Sequence, residues 1–227
     1  KDSRIESSVE ILAMNKDVNG TSFRMLQTMS EMQEEHNQLV HAQWREQGFR
    51  FYRAIWVECA EMLDHFGWKW WKKQDPDIDQ VKLELVDIWH FAMSELMIKG
   101  EIDERLADLL MQPVDHAVDS EAFRICIEKL ALDCLNTESV DVRVFKNTMN
   151  ALGMSYQELF ELYIGKNTLN RFRQNNGYKE GLYQKMWSGK EDNEHLIEIL
   201  SGLDSEPESL AAQLYSALEV RYESAAL

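Results

Sequence analysis

Apolar residues recur at three- or four-residue steps through most of this chain, the spacing of helices that bury one face. Phe23, Leu26, Met29, Met32, Leu39 and Val40 predict a first amphipathic helix opening near Thr21. Residues 1 to 20 are polar, end in "DVNG" and carry no strong period, so they read as a separate N-terminal segment. A second helix is predicted from about Phe49 to Phe66. A third follows "DPD" at 75–77, and "IDQVKLELVDIWHFAMSELMIKG" is apolar nearly all round, as a helix buried on most sides is.

Two or three more helices are expected between 101 and 153, separated near Pro113 and near "NTESVD" and closing at Gly153. Ser155 followed by Glu158 resembles a capping box that opens "SYQELFELYIGKNTLNRFRQNN", a helix stopping at Gly177. A loop with Gly177, Gly181 and Gly189 comes next, then a short helix from about Asp192 and a last amphipathic helix after Pro207. The expectation is an all-α, multi-helix bundle: one domain over 21–227, with 101–153 as a helical subregion able to move separately.

Composition agrees with helices: among 227 residues there are only ten glycines and three prolines, against eleven methionines. The formal net charge of −16 argues against nucleic acid or an anionic membrane as a partner of the whole molecule. Residues 166 to 190 depart from that balance, with Lys166, Arg171, Arg173, Lys179, Lys185 and Lys190 against Glu180 alone. Cys59, Cys126 and Cys134 are odd in number, lie among apolar neighbours and show no CxxC spacing, so they read as core thiols of a reducing compartment. No stretch approaches the roughly 18 continuous apolar residues of a membrane span, and the start lacks an apolar signal core. A cytoplasmic protein is expected.

Candidate chemistry begins with four carboxylates. Glu58 and Glu61 interrupt a run whose neighbours Trp56, Val57, Cys59, Ala60, Met62, Leu63 and Phe66 have core character. Burying a carboxylate is costly unless it is paired. Glu84 and Asp87 repeat the i, i+3 spacing on the next helix, so each pair projects to one side. If the two helices pack antiparallel, four carboxylates converge, and their repulsion calls for a hard divalent cation such as Mg²⁺. Such spacings also occur on solvent-facing helices; two pairs on successive helices favour the metal. A di-iron bundle competes because Asp87 and His90 form a DxxH, but the second ExxH that such sites need is missing. Lys166, Asn170, Arg173 and Gly177 form one stripe of donors suited to a metal-bound polyphosphate, unless it is simply a solvated basic face.

Three stretches, "YRAIWVECAEMLDHFGWKWWKK", "VKLELVDIWHF" and "YIGKNTLNRFRQNNGYKEGLYQKMWSGKEDNEHL", closely resemble the dimeric all-α dUTPases, dUTP diphosphatases related to the MazG-like nucleotide pyrophosphohydrolases. The match covers roughly 30–98 and 155–196. The paired carboxylates would be shared with the wider superfamily; the "GKN…RFRQNNGYK…GKEDN" run is more specific to dUTPases. The resemblance implies that Glu58, Glu61, Glu84 and Asp87 bind two or more Mg²⁺ ions bridged by the triphosphate, with Glu58 or Glu61 as the base that activates water. Products would be dUMP and pyrophosphate, with dUDP a second substrate.

It further implies that Lys166, Asn170, Arg173, Tyr178 and Lys190 contact phosphates, with Asp192 and Asn193 in the same closing segment. Gln33 and Asn37 resemble the QxxxN that faces the uracil, and Trp68, Trp71, His90 and Phe91 would line the nucleoside pocket. A homodimer and a basic loop that closes over nucleotide come with the family. One departure is "EEH" between Gln33 and Asn37, whose two acids are expected to face outward. Two alternatives stand beside this reading: a related pyrophosphohydrolase acting on another nucleotide such as dCTP, and a non-catalytic nucleotide- or metal-binding helical module.

Overall fold

In a computed structural model, residues 3–115, 117–203 and 207–225 are described. Among them the chain forms nine α-helices and one two-stranded hairpin, with no helix long and apolar enough to cross a membrane. The helices are α1 (Ser3–Val40), α2 (Phe51–Phe66), α3 (Ile78–Lys99), α4 (Glu104–Leu110), α5 (Ser120–Thr137), α6 (Val142–Ala151), α7 (Tyr156–Asn175), α8 (Asp192–Gly202) and α9 (Pro207–Ala225). The all-α expectation holds. The first helix does not open near Thr21; its backbone is helical from Ser3, through a stretch in which no apolar period announces it.

Local chemistry sets the helix ends. Asp77, Asp103 and Asp119 each accept a backbone N–H of the first turn of α3, α4 and α5, and Gly100 closes α3 at a left-handed φ of 72°. Ser155 caps α7 by accepting from the Glu158 N–H, but Glu158 sends its carboxylate to Lys82 Nζ at 2.6 Å. The reciprocal capping box occurs at α8 instead, between Glu191 and Glu194. The expected glycine loop contains a hairpin, β1 (Met186–Trp187) with β2 (Lys190–Glu191), closed by Ser188 and Gly189, both at positive φ.

α3 is the axis of the bundle. It buries residues on every side, from Val81 through Leu96, against α1, α2 and α7. α2 runs antiparallel to it: His65 O accepts from Asp77 N across the connecting loop, and His65 faces Glu84 while Glu58, two turns earlier on α2, faces Asp87. Ile55, Cys59, Met62 and Phe66 form the buried stripe of α2, whereas Trp56, Val57, Ala60 and Glu61 are exposed, contrary to the core character expected for the first three. α4, α5 and α6 fill 101–153 and join the same core through Leu106, Phe123, Ile127 and Phe145. A second, smaller core gathers Phe172, Tyr183, Trp187, Leu196 and Leu218 between α7, the hairpin, α8 and α9.

Candidate active site

The buried stripe of α1 changes chemistry as it nears the middle of the bundle. Met25, Leu26 and Met29 lie in the core, and the next positions on the same side are Gln33 and Asn37, both buried. These face α3, where Glu84, Asp87, His90 and Ser94 follow one another along one side of the helix. Sequence order therefore brings an amide-lined wall against a carboxylate-bearing one.

Glu58, Glu84 and Asp87 each place a carboxylate oxygen within 4.8 Å of the others. Glu61 is not in that cluster; it is exposed on α2 one turn further on, close enough to repel Glu58 and Glu84. Burial first, then repulsion by Asp87, Glu84 and Glu61, lifts the Glu58 carboxyl to about 8, with Lys166 opposing. Burial also raises Glu84, against the pull of Lys166. A donor set of carboxylates with no thiolate or imidazole suits a hard, oxygen-seeking cation. His90 is not among the side chains whose ligand atoms gather there, so the DxxH expected of a di-iron site does not form with this cluster.

Beside the carboxylates lies a cavity of about 320 Å³ lined by Gln33, His36, Asn37, Trp44, Phe49, Phe51, Asp87, His90, Phe91 and Asn170, among others. That is nucleoside-sized. Gln33, Asn37, His90, Phe91 and Asn170 are thus brought together as expected. Trp68 and Trp71 are not: they lie on an exposed loop with Trp70, beside Arg124. The aromatic walls come instead from Trp44, Phe49 and Phe51, which no motif singled out. A helical signal could have found His36, since it stands three residues after Gln33 and shares its side of α1. Burial, then Lys179 and Arg171, hold the His36 imidazole below its ordinary range.

The "EEH" acids do face away from the cavity. Glu35 pairs with Arg171 at 3.0 Å, and Glu34 takes both Arg45 Nη atoms, at 2.9 and 2.5 Å, and Trp44 Nε1 at 3.2 Å. Glu34 therefore anchors the short 3-10 turn Trp44–Glu46 that walls the cavity.

The basic residues form a connected network. Lys166, 2% exposed, reaches Asp87 Oδ2 at 2.9 Å and Asn193 Oδ1 at 3.0 Å. Arg173 gives Nε and Nη2 to the two oxygens of Asp192, both at 2.8 Å, and Nη1 to Asn170. Burial alone would raise the Asp192 carboxyl; Arg173 and the Tyr183 hydroxyl hold it below the usual range. Tyr178 is exposed, and Lys190, also exposed, pairs with Glu198.

A family model described as dUTPase matches residues 25–178. That span contains the three clustered carboxylates, Glu61, the cavity residues named above, and Lys166, Asn170, Arg173 and Tyr178. Lys190, Asp192 and Asn193 lie beyond it. No curated protein matches the chain.

Proposed function

Because the chain belongs to the all-α dUTPase family, and so carries dUTP diphosphatase activity, we propose that it converts dUTP, and dUDP, to dUMP by Mg²⁺-assisted attack of water on a phosphorus beside Glu58, Glu84 and Asp87. The convergence of those three carboxylates next to a nucleoside-sized cavity is the observation that carries the reading.

Glu58, Glu84 and Asp87 would hold the cation, whose charge would offset the burial and the carboxylate repulsion that raise Glu58. Bound Mg²⁺ supplies Lewis-acid polarisation of phosphoryl oxygens and a more acidic water. Glu61, exposed next to the cluster, is the carboxylate open to solvent and is assigned the task of orienting that water and taking its proton. Lys166 and Asn170 offer N–H donors to the phosphates on the α7 side. Arg173 is largely spent on Asp192 and acts by fixing the 186–193 segment. Asn37 and His90 meet the base, while Gln33 orients Asn37 through a 3.0 Å hydrogen bond.

The same proposal includes a cytoplasmic homodimer. Trp56 and Val57 on α2, and Ile125, Leu132 and Leu135 on α5, leave large apolar side chains exposed on helices that pack together. Light scattering should give twice the 26.6 kDa chain mass, and a clean monomer would remove this part. Turnover of dUTP, dUDP and dCTP, each with Mg²⁺ and with a chelator, tests the rest. Release of dUMP from the two uracil nucleotides only when the metal is present is the expected result; preference for dCTP would refute the substrate assignment.

A further inference from the structure

α9 lies outside the span that the family model matches, yet it packs on α7 and α8, the helices that carry Lys166, Arg173, Asp192 and Asn193. Leu214 and Leu218 account for part of that contact, fully buried with Phe172 and Leu196 as the apolar face of any core helix would be. The last turns of α9 do something more specific. Tyr222 stacks on Tyr183 with centroids 5.4 Å apart, meets Trp187 edge-on at 4.9 Å, and accepts the Gln184 N–H on its hydroxyl at 3.2 Å. Arg221 Nη1 donates to Glu198 at 2.9 Å and to His195 Nδ1 at 3.2 Å. A guanidinium cannot accept, so His195 carries its proton on Nε2 and gives it to the Trp187 carbonyl at 3.0 Å. Tyr222 thus grips the start of the hairpin directly, and Arg221 grips it through His195.

Short polar links carry that grip on toward the acidic cluster. The Tyr183 hydroxyl donates to Asp192 Oδ2 at 2.9 Å, and the Lys185 carbonyl accepts the Asp192 N–H at 2.9 Å. Asp192 holds Arg173, whose Nη1 fixes the Asn170 amide by donating to its oxygen at 3.0 Å. The adjacent Asn193 accepts from Lys166, which reaches Asp87. The hairpin itself has only two residues in each strand, too few to be stable alone. Its position depends on what packs against it.

We propose that Arg221 and Tyr222 are positioning residues for the hydrolysis: neither lines the cavity, and together they brace residues 183–195 so that Lys166 and Asn170 meet the polyphosphate in one fixed geometry. This rests on the dUTP reading above for its substrate. Donors displaced by about an ångström bind and polarise a phosphoryl group less well, so losing the brace weakens both substrate binding and turnover.

The test measures kcat and KM for dUTP at saturating Mg²⁺ in the wild type, Tyr222→Ala, Tyr222→Phe and Arg221→Gln. Tyr222→Ala should lower kcat/KM by about 10- to 100-fold with a raised KM. Tyr222→Phe keeps the ring and loses one neutral hydrogen bond, so it should return to within about 10-fold of the wild type. A purely structural role would reduce the number of folded molecules and lower kcat at an unchanged KM. That pattern, or a Tyr222→Ala enzyme equal to the wild type, would overturn the proposal. If Tyr222→Ala does not fold, Arg221→Gln decides, since the Arg221 side chain is only half-buried. A raised KM supports the brace and an unchanged KM refutes it. A wild type that turns over dCTP and not dUTP would overturn the substrate reading alone; the same comparison on dCTP then decides the brace, because Lys166 and Asn170 serve the phosphates whatever the base.

Discussion

Lys166 Nζ lies 2.9 Å from Asp87 Oδ2 and 3.0 Å from Asn193 Oδ1, so one buried ammonium ties a carboxylate of the acidic cluster to the start of α8. Removing that charge leaves Asp87 facing Glu58 and Glu84 without a counter-ion. Lys166→Met, close in volume, should destabilise the cation-free protein by about 3 kcal/mol. Denaturant unfolding measures this, and adding Mg²⁺ should recover part of the loss. An unchanged midpoint would show that the pair contributes nothing to folding.

The Glu58 carboxyl, raised from the ordinary 4.5 to about 8, gives a pH dependence with a definite sign. Between those values the folded, cation-free chain binds more protons at this site than the unfolded chain does, so its contribution to stability falls as pH rises. Mg²⁺ takes the deprotonated carboxylate, so its stabilising effect grows over the same window. Melting temperatures from pH 5 to 8, in chelator and in Mg²⁺, should diverge with rising pH, and Glu58→Gln should narrow the divergence. A constant gap across the window would count against the coupling.

Glu61 and Glu58 stand on the same helix in different surroundings, one exposed and one inside the cluster. Their losses should therefore differ in kind. Glu61→Gln is expected to lower kcat by about 100-fold or more, as removal of a general base does, with a small change in the Mg²⁺ concentration for half-maximal activity. Glu58→Gln should raise that concentration as well. Metal titrations of both variants separate the two roles, and identical metal dependence would merge them.

Asp192, 1% exposed, holds both Arg173 and Tyr183. Asp192→Asn leaves a buried guanidinium under-compensated and should cost about 3 kcal/mol. Limited proteolysis should then cut more readily between residues 177 and 190, because Tyr183 loses its tie to α8. Unaltered cleavage would mean that the aromatic stacking of Tyr183 on Tyr222 of α9 suffices to hold the segment.

The helices legible in the sequence were those whose periodicity is produced by packing. α3 is apolar nearly all round because it touches helices on several sides, and the two i, i+3 acidic pairs placed three carboxylates of the cluster without any structure. Other features left no periodic trace. The first half of α1 mixes its few apolar residues with polar ones without a sustained period, so nothing in the pattern separates helix from loop there. Trp44, Phe49 and Phe51 wall the cavity from a connection and a helix start, where spacing rules do not apply. Trp68 and Trp71 look like pocket residues by type, yet the Gly67 turn, with φ at 91°, and Gln74, which accepts from the N–H groups of Trp68 and Lys69, set them on an exposed loop. Gln33 lines the cavity, but only the hydrogen-bond network shows its amide spent on Asn37, Ser94 and Tyr163. Ser188–Gly189 marks a turn, but the strands on either side are two residues each, too short to show an alternation that would announce a hairpin.

The central claim is that a cation held by Glu58, Glu84 and Asp87 is required for phosphorus attack. Its most direct measurement is dUMP formation from dUTP by wild type and Asp87→Asn across a Mg²⁺ titration starting from chelator-treated protein. The account predicts no turnover without Mg²⁺, saturable activation in the wild type, and a loss of about 1,000-fold or more in folded Asp87→Asn at every Mg²⁺ concentration. Full turnover in chelator, or an Asp87→Asn enzyme as active as the wild type, would contradict it.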